Sequence, residues 1–210
     1  MRGFRHLAVV AAIVGLAGSA ATATAASAAT SHGAGAQAAW GVHLKGKATT
    51  VTTAPGIAPA LLKNGIVPLA TAPGTQTVVV PKTGPAAQFT FPVTGGSVTL
   101  SPLGGKIDHA GGILFVNVTN GKTIQVSQFT INLSRGNLTG IVNGNPKARV
   151  PLFNLDLSHA KITAGKHFAT AKGIVVRLTS IAAKALNTAL GTNLFSPGLT
   201  LGTAGTVLRF

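Results

Sequence analysis

The chain has 210 residues and a formal net charge of +15, with 17 Lys and Arg set against two acids. It contains no Cys, Tyr or Glu, so thiol chemistry, phenolate ligation and disulfide staples are all excluded. Asp108 and Asp156 are the only carboxylate side chains, and paired-carboxylate hydrolysis would need those two together.

Arg2 and Arg5, the apolar run 7–17 and the small-residue stretch 18–29 follow the order of a secretory signal peptide. Ala26-Ser27-Ala28 meets the cleavage rule, and the cut is expected after Ala28. The apolar run is well short of the ~20 residues that span a bilayer, so no transmembrane segment is expected after cleavage. No Cys follows it, which excludes a lipoprotein anchor. These features predict an extracellular protein, secreted or associated with the cell wall. Its composition, rich in Ala, Gly, Thr and Val, suits a high-GC bacterium.

Residues 29–39 are small and polar and read as a flexible mature N terminus. One β-rich domain is expected over 40–210, long enough to bury a core of its own. The β-branched stretch 49–53 comes first. Pro55-Gly56 then turns into a short helix over 57–62, stopped by Asn64-Gly65. Residues 68–76 read as a loop and 77–80 as a brief strand. In 88–92, Phe89 and Phe91 alternate with polar partners and should enter one face. Gly95-Gly96 is expected to turn the chain into 97–100.

Residues 106–109 lead through Ala110-Gly111-Gly112, a turn that Asp108 is expected to cap, into a strand over 113–118. Asn120-Gly121 is a hairpin signal. The next strand changes phase: Ile124 and Val126 share a face, then Phe129, Ile131 and Leu133 continue one residue out of step. A β-bulge near Ser127-Gln128 would restore a common core face. Strands 137–142 and 149–157 follow, joined through 143–146, and Ile174, Val176 and Leu178 mark another. Ser180 is the expected N-cap of an amphipathic helix with Ile181, Ala182, Ala185, Leu186, Ala189 and Leu190 on its apolar face. Gly191 stands where a left-handed cap belongs, and a last strand covers 205–210. Short strands at this spacing predict a mainly β fold, an antiparallel sandwich or open barrel, with one C-terminal helix and a short N-terminal one.

No motif for catalysis stands out, and no catalytic residues are assigned. Ser158-His159 beside Asp156 is the most suggestive group, but strand neighbours point to alternate faces and no nucleophile elbow is present. His32, His43, His109, His159 and His167 are too scattered for a metal site. Taking Arg2 and Arg5 away with the leader lowers the charge by two, to +13. Such a surface favours anionic cell-wall polymers or lipid headgroups. No basic run exceeds Lys45-Gly46-Lys47, and no aromatic platform is interleaved with Arg, so specific nucleic-acid binding is not expected.

Trp40-Gly41-Val42, the stretch 104–115 (GGKIDHAGGILF), 150–157 (VPLFNLDL), 178–187 (LTSIAAKALN) and the closing 195–199 (FSPGL) resemble, in order, the actinobacterial HtaA-type domain. The resemblance implies a secreted or surface-bound β-rich domain with a short helix, some of whose relatives bind haem for iron uptake. His109 falls where that family has a His-containing turn before a strand. Its haem-binding members ligate iron through a Tyr, which this chain lacks; a neutral imidazole would set different electronics. The first two readings are a non-catalytic domain held at the envelope by a basic surface, with no cofactor, and a carrier of haem or another small apolar ligand; an exported hydrolase using Asp108 or Asp156 ranks third. The second would use His109, Trp40 and His43.

Overall fold

Thirteen strands and two helices occupy residues 41–210, the part of the chain that the computed structural model describes. The expected leader, the stretch 29–39 and Trp40 lie outside these residues. In chain order the elements begin with β1 (Val42–His43), β2 (Gly46–Thr53), α1 (Ile57–Lys63), β3 (Ile66–Thr71) and β4 (Thr75–Val79). There follow β5 (Ala86–Leu100), β6 (Leu103–His109), β7 (Gly112–Asn117), β8 (Thr123–Asn132) and β9 (Asn137–Val142). The chain ends with β10 (Asn145–Asp156), β11 (Lys161–Ala164), β12 (Phe168–Leu178), α2 (Ser180–Leu190) and β13 (Thr200–Arg209).

All pairings are antiparallel. Eight strands close a ring in the order β5-β2-β13-β12-β10-β9-β8-β6 and back to β5. The mainly β architecture is therefore the expected one, and the barrel is shut. Closure depends on β5, whose first half pairs with β2 and β4 and whose second half pairs with β6 and β1. The strand changes partners at a register shift between Val93 and Gly95. Gly95-Gly96 is thus an irregularity inside a strand, not the turn expected there. Gly96 has φ 112°, and a Cβ on it would collide with the carbonyl oxygen of Lys106 across the ladder.

The bulge expected near Ser127-Gln128 is present, with Gln128 at φ 50° and a register shift between Ser127 and Thr130. It keeps Ile124, Val126, Phe129 and Ile131 all on the core face. Phe89 and Phe91 also enter that face together, and Phe91 meets Phe129 edge-on at 4.9 Å. Such a pair adds about 0.5–1.5 kcal/mol beyond burial.

Residues 68–76 hold a correction. Their first part is strand β3, paired with β7, since Pro68 sits on an outer strand where a missing N–H breaks no further ladder. The β11–β12 hairpin, which pairs Lys161–Ala164 with residues 169–172, has no counterpart among the predicted elements.

Helix α2 begins at Thr179, whose hydroxyl accepts from the Ala182 amide at 3.1 Å; Ser180 is the first helical residue and not the cap. Ala182, Ala183, Leu186 and Leu190 form the buried stripe, whereas Ile181 is exposed. Gly191 closes the helix at φ 62°. Asn117 and Asn120, from the β7–β8 hairpin, donate their side-chain amides to Leu190 O at 2.8 and 3.0 Å, which ties the helix end to the barrel. No helix among the described residues is long and apolar enough to cross a membrane.

Candidate functional site

Strand alternation sends Ile107 and His109 of β6 into the barrel and leaves Asp108 on its outer side. Asp108 caps no turn: it accepts the Thr130 hydroxyl at 2.8 Å across the β6–β8 ladder. His109 is only 4% exposed, so both ring nitrogens need partners. Nδ1 lies 3.3 Å from the Phe129 carbonyl, which can only accept, so Nδ1 carries the proton. Nε2 then accepts from the Thr49 hydroxyl at 2.7 Å, and Thr49 accepts from Thr206 at 2.8 Å. Burial drives the imidazole pKa below its usual 6.5, opposed by hydrogen bonding to Phe129 and the charge of Asp108.

This chain of polar groups borders an apolar cavity of about 90 Å³ inside the barrel, lined by residues such as Phe89, Phe115 and Phe195. Haem does not fit there: drug-sized ligands occupy roughly 300–1,000 Å³, and both nitrogens of His109 are already engaged. His43 is exposed on β1 and paired with Ser97, while His109 is paired with Val93 of the same strand. The two histidines are therefore four residues apart along β5, about 13 Å. Trp40 lies outside the described residues.

Asp156, Ser158 and His159 do not assemble a relay. Ser158 Oγ and its amide both donate to Asp156 Oδ1, at 2.6 and 3.0 Å, ending β10 in a local turn. Those bonds hold the carboxyl of Asp156 below its ordinary range, helped by Arg177 at 3.8 Å. Among the described residues no three His, Cys, Asp or Glu gather to hold a metal ion.

A different grouping emerges from strand pairing. On the outer face of β12, Phe168 and Lys172 flank Thr170. Lys172 is directly opposite Lys161 of β11, and Phe168 is opposite Arg209 of β13, whose outer face also carries Val207. Next to Arg209 comes the start of β2. There Gly46 and Lys47 take φ 115° and 113°, which breaks the alternation and leaves Lys47 exposed although its partner Leu208 is buried. Lys45, Lys47, His167 and Arg209 rim a cleft of about 660 Å³ floored by Phe168, Val207 and Phe210. Among the described residues neither carboxylate side chain forms an ion pair with any of these cations: Asp156 approaches Arg177 and Asp108 bonds Thr130. Two exposed lysines facing each other across a ladder repel, which costs stability and serves no packing. In the sequence only Lys45-Gly46-Lys47 hinted at this face, because the other cations come together through non-local pairing.

The fold is similar to that of the C-terminal domain of HtaA from Corynebacterium glutamicum. The match has 16% identity and a TM-score of 0.50, covering 80% of this chain and 98% of that domain. A domain-swapped dimeric variant of the same domain also matches, with 17% identity, 74% and 93% coverage and a TM-score of 0.46. No family model and no curated protein matches the sequence. The chain thus has the HtaA-type domain fold, in agreement with the motif order read along 104–115, 150–157 and 178–187.

Proposed function

We propose that this chain is an exported, non-catalytic binding domain that attaches to phosphate-bearing polymers of the bacterial envelope through the basic face of β11, β12, β13 and β2. One observation carries the reading: Lys161 stands opposite Lys172, beside a cleft rimmed by Lys45, Lys47 and Arg209, and among the described residues none of these cations is in an ion pair. Like charges gathered at a cost to stability are favourable once a polyanion lies across them. The cleft is concave, which suits a polymer chain better than a flat bilayer. Export rests on the signal pattern of residues 1–28, and the HtaA-type fold fits a binding role.

The carrier reading has less support, because the cavity beside His109 holds about 90 Å³ and the polar side chains of Thr49 and His109 on its wall are already paired. The test is retention of the exported chain on purified phosphate-polymer cell walls across a salt series. Retention should fall steeply between low and moderate salt. Replacing Lys45, Lys47 and Arg209 together by Gln should weaken it at least about tenfold, whereas Gln at Lys63, Lys82 and Lys122 should matter much less. Salt-indifferent retention, or equal losses in the two triple variants, would overturn the proposal.

A further inference from the structure

A second concave feature, about 560 Å³, opens where the edge of β8 passes from β7 to β6. Its walls are the β3–β4 turn at Thr71 and Ala72, the β6–β7 turn at Ala110 and Gly111, the β8 bulge, and Arg149 of β10. The bulge is fixed in place: the Gln128 amide donates to Gly111 O at 3.0 Å, and Gly111 packs tightly against Gly74. The imidazole of His109 is turned into the barrel and takes no part in this cleft's polar chemistry.

The charges here are arranged in an unusual way. Arg149 reaches over β9, and its Nη1 donates to Gln128 O at 2.9 Å and to the hydroxyls of Thr139 and Thr130, each at 3.3 Å. Thr130 in turn donates to Asp108 Oδ1 at 2.8 Å. A carboxylate and a guanidinium are thus fixed two hydrogen bonds apart with a hydroxyl between them. Asp156 is different, since Arg177 approaches it directly. The other oxygen of Asp108 and the other guanidinium nitrogens of Arg149 make no hydrogen bond with described residues. A closed ion pair saturates both partners; a separated one leaves each charge able to take a counter-charge from a ligand.

The complementary ligand is one small molecule carrying a cation and an anion close together. We propose that this cleft binds a free zwitterionic α-amino acid, its ammonium on Asp108 and its carboxylate on Arg149. Ser127, Gln128 and Thr94 add neutral donors and acceptors along the rim. A sugar would want an exposed ring to stack on, but the phenyl group here, Phe129, is 3% exposed and belongs to the core. This site is independent of the basic face.

The test is an NMR titration of the exported chain with alanine, serine and leucine in turn, following the amides of Gln128 and Gly111. At least one amino acid should give saturable shifts. Its amide, which lacks the carboxylate, and its N-acetyl form, which lacks the ammonium, should each bind at least about tenfold more weakly. Asp108→Asn and Arg149→Ala should each reproduce that loss while the spectrum stays dispersed. No saturable shift with any of the three, equal binding by the capped forms, or saturation by glucose instead would overturn the proposal. The capped ligands need no variant, so the result stands even where a substitution disturbs folding.

Discussion

The hydroxyl of Thr49 lies 2.7 Å from His109 Nε2 and 2.8 Å from the hydroxyl of Thr206, although these residues are 60 and 157 positions away in sequence. Thr49 and Thr206 are register partners on β2 and β13, and β5 separates β2 from β6, which carries His109. One hydroxyl therefore satisfies two buried groups from different strands inside an otherwise apolar barrel.

Thr49→Val keeps the shape but leaves His109 Nε2 without a donor and Thr206 without an acceptor. Chemical denaturation should show a loss of about 1–3 kcal/mol, the range for stranding buried polar groups. Thr206→Val removes only the outer end of the chain and should cost less. If the two variants lose equal stability, the central role of Thr49 is wrong.

Burial favours the neutral form of His109, so its folded pKa lies below 6.5. Over the interval between the folded value and 6.5 the unfolded chain binds more protons than the folded one, and stability rises with pH. Its contribution is complete above 6.5 and is lost as pH falls through the folded pKa. Thermal midpoints should drop on acidification below 6.5, and His109→Asn should flatten that slope. Asp156, whose pKa is held below the carboxylate value of 3.8 by Ser158, adds its own loss only at pH below 3.8. A slope near pH 6 that survives His109→Asn would assign it to another group.

The facing lysines predict opposite effects on stability and binding. Lys172→Glu turns a repulsive pair with Lys161 into an attractive one. Stability at low salt should rise by about 0.2–1 kcal/mol, and the gain should shrink as salt screens it. Retention on cell walls should fall in the same variant. A variant that is more stable and binds as well as before would detach these lysines from function.

Much of the fold is legible locally. Side-chain alternation marks the strands because period two is a property of a single chain. The phase slip after Val126 requires a bulge, and the turn at Gly121 and the cap at Gly191 each follow from the positive φ that glycine permits, 72° and 62° here. Where local rules failed, a neighbour overrode them. Gly95-Gly96 looks like a turn but serves as the point where β5 changes partners, and Pro68 looks like a loop but stands on an outer strand.

The sequence by itself determined the charge imbalance, the absence of thiols and phenols, the strand-rich pattern and the resemblance in motif order, since these are properties of composition and spacing. Only the tertiary structure decided that the barrel closes through β5, β6 and β8, that His109 is turned inward onto Thr49, and that Lys161 meets Lys172. It likewise set Asp108 near Arg149 without contact. Each of these depends on register between strands distant in sequence. Register follows from how whole faces pack, because a slip of one residue would send every side chain to the opposite side.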